Sequence, residues 1–102
     1  MSFQVAVRAS GDGSYAAVAV SGDVDITNAV AFRAAIEELD RPLIVDLSPL
    51  RYLDSAGFAA LDQLLTQPGI AVVLDPASPV RAAADIMGVP CHDTVDAALA
   101  AS

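Results

Sequence analysis

VDLSPLRYLDSAGFAALDQLL, residues 45–65, carries an apolar run into a segment of helical period. LIVDL, residues 43–47, is short, apolar and β-branched, the composition of an interior strand. Beyond Asp54, the side chains of Phe58, Leu61 and Leu65 recur on one helical face. The junction holds an acid, Asp54, and a hydroxyl, Ser55, with Gly57 close behind. Placed there, Ser55 has three possible uses: a nucleophile, an acceptor of phosphate, or a cap for the helix it heads.

Upstream, FQVAVRA alternates Phe3, Val5 and Val7 against Gln4 and Arg8, the period of a half-buried strand. SGDGS, residues 10–14, is dense in turn formers, and YAAVAV resumes a strand, so an antiparallel hairpin is expected. From Asn28 the period becomes helical, with Phe32, Ile36 and Leu39 on one stripe beside Ala29 and Ala35. Asp25 or Thr27 is placed to cap that helix, and Pro42 ends it.

Downstream, QPG breaks the helix that Ser55 heads, and IAVVL, residues 70–74, reads as a second interior strand. In SPVRAAADIMG, Ser78 is placed as N-cap, Pro79 as the first helical residue and Gly88 as the close. Val80, Ala83, Ala84 and Met87 would form its buried stripe. A short strand near Val89–Cys91 precedes a last helix in DTVDAALAA, capped by Asp93 or Thr94, with Val95 and Leu99 a turn apart. The expected order is β-β-α-β-α-β-α-(β)-α, with a parallel crossover from Leu43 to Leu74. This is an α/β fold: one domain over residues 1–102, a mixed sheet of four to five strands, and helices mainly on one face.

Composition narrows the function. With 55% apolar residues, the chain can build a core without staples. A single cysteine, Cys91, excludes an internal disulfide, and a single histidine, His92, excludes a histidine-rich zinc cluster. That usage suits a reducing cytoplasm. Nucleic acid and anionic lipid both demand basic side chains, and a net charge of −8 with five basic residues opposes them. No apolar run approaches the ~20 residues that span a bilayer, and MSFQVAVRAS lacks the pattern of a secretory signal. A protein partner or a small ligand is left.

Catalysis by Ser55 fails on its surroundings. Leu53-Asp54-Ser55-Ala56-Gly57 lacks the first glycine of G-x-S-x-G, and nothing in the spacing brings His92 near. Glycine-rich phosphate loops are absent too, since SGDGS has no nearby lysine and reads as a turn. A phosphate acceptor needs less, because the partner brings the chemistry. A helix N-terminus offers free amides and the positive end of the dipole to a phosphoryl group. Asp54, Asp23 and Asp25 would surround it if the turns after Val20 and after Leu47 share a rim. Capping remains open, and the two roles are compatible. Asp46 is expected to bond loop amides, Cys91 to act as a small apolar group, and His92 to lie in a loop.

The stretch from Val45 to Leu65 resembles the central signature of the STAS domain, named for sulfate transporters and anti-sigma factor antagonists. Asp46, Leu47, Ser48, Asp54, Ser55 and Gly57 match an apolar strand ending in D-L-S followed by D-S-[ST/A]-G-L. VSGDVDITNA resembles the family's G-[DE]-[LV]-D turn through Gly22, Asp23 and Asp25, and SPVRAAADIMGV resembles its S-P-x-V helix. The resemblance implies a bacterial anti-sigma factor antagonist that is not itself an enzyme and needs no cofactor. It would bind an anti-sigma factor with serine kinase activity, be phosphorylated on Ser55, let go, and be restored by a serine phosphatase. Asp23, Asp25, Asp54, Ala56, Gly57 and Phe58 are implied to form the partner surface. A second implied role is a STAS subunit docking on the ATPase of a lipid-trafficking ABC transporter. The chain departs from the pattern in three residues: Ala56 lacks a second hydroxyl, Phe58 replaces leucine, and Asp62 adds charge to the helix. The short TQPG connection implies that this helix loses a turn.

Overall fold

The computed structural model describes residues 2–9 and 14–101. Two strands, β1 (Phe3–Ala9) and β2 (Ala16–Val24), pair antiparallel as expected, with Val5 opposite Val20. The turn expected between them lies, apart from Ser14, outside the described residues. After β2 follow α1 (Ala29–Glu37), β3 (Leu43–Asp46), β4 (Leu50–Leu53), α2 (Ser55–Leu65), β5 (Ile70–Val73), α3 (Arg81–Ile86) and α4 (Val95–Ala100). The result is a mixed α/β domain on a five-stranded sheet of order β1-β2-β3-β5. β4 pairs β2 beyond the point where β3 leaves it.

Period two separates the faces of the sheet. Val18, Val20, Leu43, Val45 and Val72 turn toward α1 and α2, where Phe32, Ile36, Phe58, Leu61 and Leu64 meet them. Each large side chain so buried contributes about 2 kcal/mol. Phe3 packs edge-on against Phe32, ring centroids 5.9 Å apart, and fastens β1 to α1. Ile44 and Val73 face the other way, onto Ala98 of α4. Helices therefore lie mainly on one face.

Five points of the sequence reading need correction. β4 was not anticipated: the chain leaves β3 through a turn in which the Asp46 carboxylate accepts the Ser48 amide at 3.0 Å, then re-enters the sheet at Leu50. The Ser48 hydroxyl accepts the Asp75 amide at 2.9 Å and so ties this turn to the one after β5. The strand expected near Val89–Cys91 shrinks to a single parallel bridge, one residue later, between Val73 and His92. Asn28, not Asp25 or Thr27, stands at the N-cap of α1.

Finally, α3 starts two residues after Pro79, and the Ser78 hydroxyl instead accepts the Val80 amide at 3.2 Å within the preceding turn. Val80 and Ala84 are buried, whereas Ala83 and Met87 face solvent. Gly88 closes the helix as expected, at φ +72. Arg81 then ties the short helix down. It donates to the Leu74 carbonyl at 2.7 Å and pairs with Asp85 at 2.9 Å and Asp93 at 2.8 Å.

Candidate functional site

β2 and β4 run parallel and end together, Val24 beside Leu53. The two turns that share a rim are thus those after Val24 and after Leu53, rather than after Val20 and Leu47. Gly22 lets β1 lie close against β2 at this point. At φ +94 it sits where the register of β2 against β4 shifts, and a Cβ there would run into the Ser2 carbonyl.

Asp54 joins the two turns. Its backbone is extended (φ −91, ψ −174), and its amide donates to the Val24 carbonyl at 3.2 Å. One carboxylate oxygen accepts the Gly57 amide at 3.0 Å, which makes Asp54 the N-cap of α2. The other accepts the Ile26 amide, across the gap between the turns, at 3.1 Å.

The turn after β2 is held from within. One Asp25 carboxylate oxygen accepts both the hydroxyl and, at 2.9 Å, the amide of Thr27. The Thr27 hydroxyl first, and its amide second, hold the Asp25 carboxyl below the usual carboxylate range. Asn28 accepts the Asp25 amide at 2.8 Å and donates to the Asp23 carbonyl at 3.0 Å. Asp23 lies in the strand itself, its carboxylate 3.1 Å from Arg51.

Ser55 is the first residue of α2 and not its cap. Its side chain is exposed, and no hydrogen bond engages its hydroxyl among the described residues. The amides of Ser55 and Ala56, at the start of the helix, likewise have no acceptor among the described residues. Polar groups around Ser55 are committed; its own are not.

Of the six residues expected to face a partner, Asp23, Asp25, Asp54 and Ala56 reach this rim. Gly57 and Phe58 do not present a surface. Phe58 is 3% exposed, in the core beneath α2. A Cβ on Gly57 would press into Leu53 and Val24, so the glycine lets α2 settle onto the ends of β4 and β2. Their part is support from inside.

Sequence reasoning missed the apolar ground beside Ser55. Ile26 is 79% and Val30 74% exposed. With Ala56, Ala59 and Gln63 they line a groove of about 290 Å³ between α1 and α2. Their signal was present: Ile26 and Val30 are four apart and fall off the Phe32–Ile36 stripe.

Elsewhere, His92 lines a different hollow with Pro42, Gly69 and Ala101, so it offers Ser55 no base. Cys91 is half-buried, its thiol donating to the Val89 carbonyl at 3.4 Å, and burial pushes its pKa up. Asp46 bonds a loop amide, as expected. Among the described residues no cluster of His, Cys, Asp and Glu could hold a metal ion, and no helix is long and apolar enough to cross a membrane.

Comparison with known proteins adds to this geometry. The family model described as Mlab, STAS domain, matches residues 7–89. A crystal structure of an anti-sigma factor antagonist from Mycobacterium paratuberculosis superposes with a TM-score of 0.82 at 28% identity, over 98% of this chain and 93% of that one. The antisigma-factor antagonist STAS domain from Rhodobacter sphaeroides gives a TM-score of 0.55 at 29% identity, over 69% of this chain and 82% of that one. No curated protein matches the chain.

Proposed function

The chain belongs to the STAS domain family, and from that premise we propose that it is an anti-sigma factor antagonist switched at Ser55. Unphosphorylated, it binds in the cytoplasm an anti-sigma factor that is also a serine kinase. The kinase moves the γ-phosphoryl group of its ATP onto the Ser55 oxygen; the hydroxyl proton departs and ADP is left. A serine phosphatase later hydrolyses the ester. The chain is thus a substrate and a binding partner, and catalysis belongs to the proteins that act on it.

One observation carries this reading: the Ser55 hydroxyl stands exposed and unbonded on a rim whose neighbouring polar groups are locked. Phosphorylation adds about −1.5 to −2 charges at pH 7. The Ser55 and Ala56 amides and the helix dipole would accept that charge locally. A partner fitted to the unphosphorylated rim would not, because Asp54, Asp25 and Asp23 already make the rim acidic. In this reading Asp23, Asp25, Asp54 and Ala56 touch the partner, with Gly57 and Phe58 behind them.

The test uses the GHKL-type serine kinases of the host, purified, with ATP. Mass spectrometry should find one phosphoryl group on Ser55 and none on the Ser55→Ala variant. ATP should dissolve the complex with the wild-type chain and leave the variant bound. No phosphoryl uptake from any of these kinases ends the proposal.

A second reading is favoured by the family model itself, whose description names Mlab and not an antagonist. There the same helix tip docks on the ATPase of a lipid-trafficking ABC transporter. Co-purification with such an ATPase, unchanged by Ser55→Glu, selects it.

A further inference from the structure

β1 is an edge strand: among the described residues it pairs with β2 and with nothing on its outer side. The direction of its hydrogen bonds follows from one contact. The Asp23 amide donates to the Ser2 carbonyl at 2.9 Å. Opposed residues in an antiparallel pair alternate between bonded and unbonded. The bonded pairs are therefore Gln4–Ser21, Ala6–Ala19 and Arg8–Ala17. Phe3, Val5, Val7 and Ala9 turn their N–H and C=O groups outward, to the free edge.

Edge strands of this kind are commonly blunted by lysine, proline or a bulge. FQVAVRA has no lysine and no proline, and its register against β2 is unbroken. It also leaves Val7 56% exposed on the edge.

We propose that this edge pairs with β1 of a second copy of the chain, antiparallel, about a two-fold axis through Val5. That register places Val5 opposite Val5 of the other copy and Phe3 opposite Val7, so Phe3, Val5 and Val7 each exchange both backbone bonds with the residue they oppose. The exposed Val7 then packs on the other copy's Phe3, and Phe3 on its Val7. Such a contact is closed and self-complementary.

Charge selects the same surface. At net −8 the chain repels its own copy over most of its exterior. β1 contains no acid, and its one charged residue is Arg8. In the two-fold register Arg8 faces Ser2 of the other copy, whose neighbour on β2 is Asp23. Asp23 is already paired with Arg51, so Arg8 meets a neutralised pair there and the seam sets no acid against an acid. Two seven-residue strands bury little area, so the dimer is reversible.

Sedimentation equilibrium of the full chain between about 1 µM and about 1 mM spans the relevant affinities. A concentration-dependent dimer is expected. Val7→Lys, at an exposed side chain, should return it to monomer with the far-UV circular dichroism unchanged. Val5→Cys in a Cys91→Ala background should form an intermolecular disulfide on mild oxidation, because opposed Cα atoms in such a pair lie about 5.5 Å apart, within disulfide reach. Gln4→Cys, which would face Ala6 of the other copy, should not. A monomer throughout overturns the proposal. So does a dimer indifferent to Val7→Lys, or one that Val5→Cys fails to cross-link.

Discussion

The carboxylate of Asp54 accepts the amide of Ile26 at 3.1 Å while its second oxygen accepts that of Gly57 at 3.0 Å. One side chain thereby fixes the head of α2 against the turn before α1, two segments 28 positions apart in the chain. Truncating it removes a helix cap and a tertiary link together. Asp54→Ala should cost about 1–2 kcal/mol in urea denaturation. Asp54→Asn keeps one carbonyl oxygen, which can serve Gly57 or Ile26 but not both well, and should lose less. No loss in Asp54→Asn would show that only the cap matters.

Ser55 predicts the opposite result. A capping serine replaced by alanine loses about 1 kcal/mol, but here Asp54 caps and the Ser55 hydroxyl is unengaged. Ser55→Ala should stay within about 0.5 kcal/mol of the parent, the range of an ordinary surface substitution. Thermal and urea denaturation measure this without any partner. A larger drop would mean that the hydroxyl is held by the fold, and a held hydroxyl makes a poor phosphoryl acceptor.

Long periodic segments and apolar runs were legible in the sequence: the helix stripe through Phe32 and Ile36, the β-branched run of β3, and the edge alternation of β1. β4 was not. Its four residues are buried at Leu50 and Leu53 and exposed at Arg51 and Tyr52, and the register shift between Gly22 and Asp23 breaks the period of two. In the site, the position of Ser55 at a helix head could be read, but not the division of labour with Asp54. Serine and aspartate both favour the N-cap, so side-chain chemistry alone does not separate adjacent candidates. The pairing of β4 with β2 places Asp54 beside the Ile26 turn. The helical stripe already put Phe58 with Leu61 and Leu65 on the inner face, and the motif match set it on the partner surface with Gly57 because such a match reports identity and not direction.

Ile26 and Val30 are exposed by 79% and 74% beside a serine with no bond of its own. Their side chains contribute little to the core, so Ile26→Ala and Val30→Ala should each stay within about 0.5 kcal/mol of the parent. If the partner covers this rim, placing a charge there desolvates it on binding. Ile26→Asp should weaken the complex with the anti-sigma kinase about tenfold or more, a loss of ~1.4 kcal/mol. Urea denaturation reads the first effect, and isothermal titration calorimetry on the unphosphorylated chain reads the second. Unchanged affinity in Ile26→Asp and a matching Val30→Asp would move the partner off the α1–α2 groove.

Thr27 controls the charge of Asp25, since its hydroxyl is the main cause of the depressed carboxyl. A folded pKa below the unfolded one favours the native state at pH values above the unfolded value, about 3.9 for aspartate. That contribution disappears as pH falls through the folded pKa. Thr27→Val removes the hydroxyl donor but keeps the amide, so the Asp25 carboxyl should titrate closer to its ordinary value. The stability gap between parent and Thr27→Val should be widest above pH ~4 and close in acid. Carboxyl NMR titration reads the first effect and urea midpoints across the acid range read the second. A gap that widened as pH fell would have the wrong sign for a depressed carboxyl, and would place the role of Thr27 in packing and not in holding the charge beside Ser55.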